Sequence, residues 1–277
     1  MSVTLTVSIV TYAPEMALLE QTLNSLVRAL CVAHAREALA HATFSIIDNG
    51  PGEGWREPLR ALLDRAFEDA PWSTTEVIAG HGNVGYGRGH NLALLGSRAD
   101  YHLVLNPDVI LADDALYHAI VFMRSHADVG LLAPSVSRPD GGTEYLCKRY
   151  PSLIDLLVRG FAPAPIKLMF RARLDHYEMK RETDSGKPFD APLASGCFLF
   201  LRRAAAVSNG GFCDAFFMYF EDFDLSLRIG ARARIVCVPQ VKIVHYGGNA
   251  AAKGRKHIAM FLRSALTFFN RNGWKLW

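Results

Sequence analysis

The chain has 277 residues, half of them hydrophobic and 21% charged, with a net charge of +3; this is globular composition, long enough to bury a sizeable core. No apolar run reaches the roughly 18 residues of a bilayer span, and Cys31, Cys147, Cys197, Cys213 and Cys237 show no C-x-x-C spacing. Composition thus argues against a membrane bundle, a disulfide framework and a thiolate metal cage, and fits a reducing cytoplasm. Charge is uneven: no Asp or Glu follows Asp224, whereas that tail carries ten Lys and Arg, and the first 224 residues hold 20 basic against 27 acidic side chains. A basic tail on an acidic body predicts an anionic partner (phosphate, nucleic acid or a membrane surface) unless it is only a solvated helix face.

MSVTLTVSIVTY lacks the basic n-region of a secretory leader, and its alternation predicts a strand over 5–12 instead. Pro14 then suits a first helical turn, and Met16, Leu19, Leu23, Leu26 and Leu30 follow at helical spacing. Strands are predicted at 43–50, 74–80, 101–109 (broken by Pro107) and 128–136, with helices at 56–69, 87–99 and 115–126. Strands separated by helices of this length predict parallel βαβ units, whose ligands sit at the carboxyl ends of the strands. Beyond residue 137 the pattern is irregular: a loop or short antiparallel pair, a partly amphipathic helical stretch over 152–182 and a strand at 195–203. A helix opening at FEDFDLSLR, two closing strands (RIVCVP and VKIVHYGG) and a basic helix over 251–272 complete the chain.

Four constellations carry chemistry. NVGYGRGHN (83–91) sets three glycines on alternate positions before a helix start, a backbone that can approach phosphate; a plain turn is the alternative, since the third glycine of the dinucleotide fingerprint is missing. LVLNPDV (103–109) delivers Asn106 and Asp108 on one side of a strand end, suited to a hard divalent ion or to capping a local turn. His245 in VHYGG ends an apolar strand and could join Asp108 as an imidazole ligand, for which manganese is better suited than magnesium. FMYFEDFDLSLR (217–228) places Glu221, Asp222 and Asp224 among aromatics. Asp224 has an i,i+4 partner in Arg228, whereas a partly desolvated Asp222 at a helix start is a stronger base than a free carboxylate.

In order, VSIVTY, IIDNG, NVGYGRGHN, LNPDV, SGCFLFLRR, GGFCDAFFMYFEDFDLSLR and VHYGG give the chain a resemblance to the family 2 inverting nucleotide-sugar glycosyltransferases, closest to bacterial rhamnosyltransferases of O-antigen and cell-wall polysaccharide assembly. The resemblance spans about 4–250 and implies an α/β, GT-A-type doubly wound mixed sheet flanked by helices. One domain over 1–250 is expected, with a nucleotide-sugar half (1–136) and an acceptor half (137–250), followed by a helix over 251–277. It implies that Thr11, Tyr12 and Asp48 hold the donor's base, and that Asn83, Gly85, Gly87, Arg88 and Asn91 line its ribose and phosphates. Asn106 and Asp108 stand in the place of the D-x-D motif, Asp108 and His245 hold Mg2+ or Mn2+, Gly196 and Glu221 meet the acceptor, and Asp222 is the general base. Asn106 replaces the first acid of that motif, and the Q-x-x-R-W signature of polymerising members is absent. The expectation is a single-addition hexosyltransferase moving L-rhamnose from dTDP-L-rhamnose, or alternatively a UDP-hexose or UDP-N-acetylhexosamine transferase or a non-catalytic sugar-nucleotide or glycan-binding subunit. Its expected partners are the donor and a glycan or lipid-linked saccharide acceptor, not nucleic acid. The tail, with Lys and Arg beside Phe, Leu and Trp, reads as a peripheral contact with the inner face of the cytoplasmic membrane, or as a helix packed on the domain by its apolar face.

Overall fold

The computed structural model describes residues 2–52, 54–247 and 254–277; Gly248 of the VHYGG motif and residues 251–253 of the tail lie outside them. The first half alternates as its periodicity requires: β1 (Val3–Thr11), α1 (Met16–Ala35), β2 (Leu39–Asp48), α2 (Arg56–Ala66), β3 (Ser73–Ile78), α3 (Tyr86–Leu94), β4 (Tyr101–Leu105), β5 (Val109–Leu111), α4 (Ala115–Ser125) and β6 (Val129–Ser137). Two-residue strands β7 (Thr143–Glu144) and β8 (Cys147–Lys148) follow, then the short helices α5 (Leu153–Phe161), α6 (Ala164–Met169), α7 (Arg171–Tyr177) and α8 (Lys180–Asp184). The chain returns to the sheet through β9 (Phe189–Asp190), β10 (Leu193–Ala194) and β11 (Phe198–Arg202), and ends with α9 (Arg203–Val207), α10 (Glu221–Gly230), β12 (Arg234–His245) and α11 (Arg255–Asn272).

The main sheet runs β3-β2-β1-β4-β11-β6-β12-β5. β1 to β4 pair in parallel, but β11 lies antiparallel between β4 and β6, so a strand from the second half of the chain separates two from the first. Side-chain alternation divides the core between two faces. Leu103, Leu105, Phe198 and Phe200 pack toward α1, α2 and α4, whereas Val104, Leu199 and Leu201 pack toward α3, α9 and α10. The two expected closing strands are one, β12: its register against β6 shifts between Val238 and Lys242, where Pro239 lacks a ladder donor, and the chain then resumes pairing. The expected 101–109 strand is two, because the Asn106-Pro107-Asp108 turn sends β5 to the far edge of the sheet, against β12.

A third cluster lies off the sheet. Phe268 and Phe269 of α11 are buried against Phe216 and Phe220, with Leu153 and Leu156 of α5 packed beside them. The tail helix therefore uses its main apolar stripe on the domain, and Ser264 Oγ donates to the Met218 carbonyl (2.7 Å) while Tyr219 Oη and His257 Nδ1 lie 2.8 Å apart. These contacts hold the turn that leads into α10.

Candidate active site

That turn is strained. Tyr219 and Phe220 both adopt left-handed φ (71° and 66°), and α10 begins without a side-chain cap; such non-glycine conformations cost about 1–3 kcal/mol each and persist only where the surroundings enforce them. The result is to place Glu221 and Asp222 in the first helical turn, at the positive end of the helix dipole. Asp222 Oδ2 accepts from the Gly196 amide and Oδ1 from the Phe223 amide, both at 2.8 Å. Burial raises its pKa, with these hydrogen bonds opposing. Glu221 is buried with Oε2 lacking any partner, and burial together with the Asp222 charge raises its carboxyl to about 8. Two buried carboxyls this close disfavour being charged together, so each makes the other a stronger base. Asp224 is a structural ion pair, 2.7 Å from Arg228.

Tyr86, at the start of α3, joins this turn to the strand ends. Its hydroxyl donates to Asn106 Oδ1 (2.9 Å) and contacts the Gly196 carbonyl, while the Asn106 amide donates to the Cys197 carbonyl at 2.9 Å. Burial, then the charges of Glu221, Asp222 and Asp108, raise the Tyr86 phenol well above its usual range. The Tyr86 hydroxyl thus links Gly196, whose amide donates to Asp222, with Asn106, two residues before Asp108, though 114 positions separate the two acids in the sequence.

Asp108 Oδ1 is buried without a hydrogen-bond partner and lies 3.5 Å from His245 Nε2. A Cβ on Gly247 would run into Asp108 Oδ2, so only glycine leaves that flank open. His245 Nδ1 is 2.9 Å from Glu144 Oε2, on β7. Burial works against a charged imidazole, but the neighbouring Asp108 and Glu144 carboxylates outweigh it and raise His245 to about 9. An orphan carboxylate oxygen facing an imidazole whose other nitrogen is held by a carboxylate is a donor set that fits a divalent cation. Among the described residues no three acidic, His or Cys side chains converge as a cage, so such an ion would complete its shell with diphosphate oxygens and water.

The remaining expected residues divide. Thr11 and Asp48 are adjacent and buried at the ends of β1 and β2, where Asp48 Oδ1 accepts from the Gly50 amide at 2.9 Å, and Tyr12 beside them is exposed. Asn83 is exposed and turns its side chain onto the Gly85 amide. The glycines after it are closely packed. A Cβ on Gly85, whose φ is 89°, would strike the Phe217 carbonyl, and one on Gly87 would strike the Phe212 side chain. Asn91 uses both amide atoms on the Phe212 backbone (2.8 and 2.9 Å). Arg88 is paired with Asp214, 3.5 Å away, in a hollow it shares with Phe217 and Arg263. The glycine loop therefore docks α3 on the loop that carries Phe212 to Phe217. Tyr86 and Glu144 were not singled out in the sequence: Tyr86 sits inside the glycine run, and Glu144 in a two-residue strand without periodicity. A surface hollow of about 560 Å³ lies beside Thr6, Ser45 and Glu76, away from these residues.

No protein-family model matches the chain. It is 27% identical over 246 residues, 83% of its length and 75% of the relative's, to the N-acetylglucosaminyl-diphospho-decaprenol L-rhamnosyltransferase of Mycobacterium tuberculosis. It is 26% identical over 181 residues to the rhamnosyltransferase WbbL of Escherichia coli, covering 62% of this chain and 64% of that one. Its fold superposes with a TM-score of 0.64 and 18% identity on the mannosyltransferase of Pyrobaculum calidifontis solved with GDP-Man and Mn2+, covering 96% of this chain and 65%, slightly under two thirds, of that one.

Proposed function

We infer, for a chain that is a family 2 glycosyltransferase of the GT-A fold close to the bacterial rhamnosyltransferases, that it transfers one sugar with inversion, L-rhamnose from dTDP-L-rhamnose, to a hydroxyl of a lipid-linked saccharide in surface-polysaccharide assembly. The observation that supports the reading is that the Tyr86 hydroxyl joins Gly196, which holds Asp222, to the Asn106 turn that carries the Asp108–His245 pair. Rhamnosyl transfer onto a polyprenyl-linked acceptor is the activity named for the mycobacterial relative.

Asp222 takes the proton of the acceptor hydroxyl. The oxygen then forms a bond to the anomeric carbon as the bond from that carbon to the diphosphate breaks on the opposite face, so configuration inverts. The Gly196 and Phe223 amides fix the carboxylate's direction, and burial gives it basicity. Glu221, whose buried Oε2 has no partner, would hydrogen-bond the acceptor. Thr11, Tyr12 and Asp48 lie at strand ends where the base would bind. Asp108 and His245 Nε2 would hold the divalent cation, which when bound neutralises charge developing on the diphosphate, and Glu144 would fix the imidazole's tautomer.

The test is nucleoside diphosphate release by the purified chain from a panel of nucleotide sugars, with and without Mn2+, in the presence of a lipid-linked N-acetylglucosamine acceptor. Release from dTDP-L-rhamnose above the UDP-sugars is expected, and turnover restricted to a UDP-sugar would replace the donor assignment.

A further inference from the structure

One apolar surface remains unaccounted for. The main stripe of α11 is buried, but the preceding α5–α6 segment is apolar on the outside. Leu157 and Phe161, one turn apart on α5, are exposed. In α6 no residue is buried, and Leu168 and Met169 are 69% and 78% exposed. A helix with no core contact and an apolar outer face gains nothing from water and has reason to meet another phase. The C-terminus extends the same surface: the Leu153 and Ile154 amides donate to the Lys275 and Leu276 carbonyls (2.9 and 3.4 Å). The Trp277 ring is then pinned beside Phe170 and under the Arg173 guanidinium, 4.5 Å from its centroid, yet Leu276 and Trp277 remain about two-thirds exposed.

Basic side chains outnumber acidic ones around this surface. Residues 156–174 contain four basic side chains and no acidic one, and no acid follows Asp224. Lys167 and Arg171 flank the α6 apolar residues, and Lys275 flanks the terminal pair. Arg159, Arg171 and Arg173 pair with Glu178, Asp175 and Asp155, which leaves Lys167 and Lys275 to meet headgroup phosphates where the apolar side chains enter the acyl boundary of an anionic bilayer.

We propose that the α5–α6 segment together with Leu276 and Trp277 is the face by which this chain docks on an anionic lipid bilayer. It is a different surface from the exposed side of α11, whose inner side instead buttresses the catalytic turn. The docking face deepens the reading of a lipid-linked acceptor, with which it shares only the side from which the acceptor arrives. The same segment continues into α7, whose last residue, Tyr177, is buried.

The test is sedimentation of the full chain with vesicles of phosphatidylcholine containing phosphatidylglycerol, and with vesicles of phosphatidylcholine alone. The parent should sediment with the anionic vesicles, less so as salt is raised. The double variant Leu168→Glu with Met169→Glu lies on a helix with no buried residue and so should keep the fold; its partitioning should fall by about tenfold or more, the worth of one buried apolar side chain. Leu262→Glu, on the exposed side of α11, should partition like the parent. Donor turnover measured on the same preparations keeps the two readings separate, because loss of vesicle binding with intact turnover bears only on the docking face. The proposal is overturned if the parent ignores both vesicles, if the double variant binds like the parent, if Leu262→Glu loses as much as the double variant, or if the parent is a dimer in solution that the double variant dissociates, which would make this face a contact between copies.

Discussion

Replacing Asp222 by Asn separates its chemistry from its structural part. Removing a positioned base costs about 10²–10⁴ in rate, or roughly 3–5 kcal/mol of barrier at 1.36 kcal/mol per decade. The structural cost is smaller and follows from the hydrogen bonds: both carboxylate oxygens accept from backbone amides, Gly196 and Phe223 at 2.8 Å. An Asn side chain can accept at only one of these positions and turns an N–H toward the other donor. One lost and opposed buried hydrogen bond is worth about 1–3 kcal/mol, a drop in Tm of roughly 2–10 °C for a domain of this size. The variant should therefore fold. Since Asp222 touches no residue assigned to the donor, binding of the nucleotide sugar should be unchanged. The assay pairs single-turnover transfer with calorimetric titration of the donor. A variant that transfers within a few-fold of the parent would remove Asp222 from the base's role, and one that loses donor affinity as steeply as rate would make it a binding residue.

Three further outcomes are expected. Glu144→Gln retains an oxygen acceptor but loses the charge behind His245, so Mn2+ affinity read by electron paramagnetic resonance should fall about 10–100-fold, and Asp108→Asn should lower it at least as far. His102 is buried with Nε2 2.8 Å from Ser8 Oγ, and burial, then the Arg203 charge, lowers its pKa from 6.5 to about 3. The unfolded chain therefore binds the extra proton between those values, so stability falls as pH drops through that window. Urea unfolding should show the parent losing about 2 kcal/mol more than His102→Gln between pH 6.5 and pH 5 (1.36 kcal/mol per unit), and equal losses would exclude a neutral buried His102. Phe268→Ala, which empties a fully buried site of the third cluster, should cost about 3–5 kcal/mol by thermal denaturation and lower transfer by loosening the 217–220 turn.

The elements with a strong period were legible. α1 and α4 bury helically spaced residues, while β1, β2 and β4 are buried on both faces and show as short apolar runs bounded by polar turns; such local patterns are all that an element needs to reveal itself. The acidic turn was legible for a related reason: carboxylates among aromatics conflict with burial unless something holds them, and that conflict is written within twelve residues. The glycine run shows by its spacing that the backbone comes close to something, but not to what; the structure places the Phe217 carbonyl and the Phe212 ring against Gly85 and Gly87.

Sequence by itself determined the order of strands and helices, the polar residues at strand ends, the Glu221–Asp222 pair at a helix start and the resemblance to the rhamnosyltransferases, all properties of neighbours along the chain. Only the tertiary structure decided that β11 enters between β4 and β6, that Glu144 stands behind His245 across 101 positions, that Tyr86 links the Asn106 turn to Gly196, and that α11 spends its apolar stripe inside the domain. The physical reason is the same in each case. A contact between distant segments depends on where the sheet carries them in space, and it leaves no period, cap or turn residue in either segment.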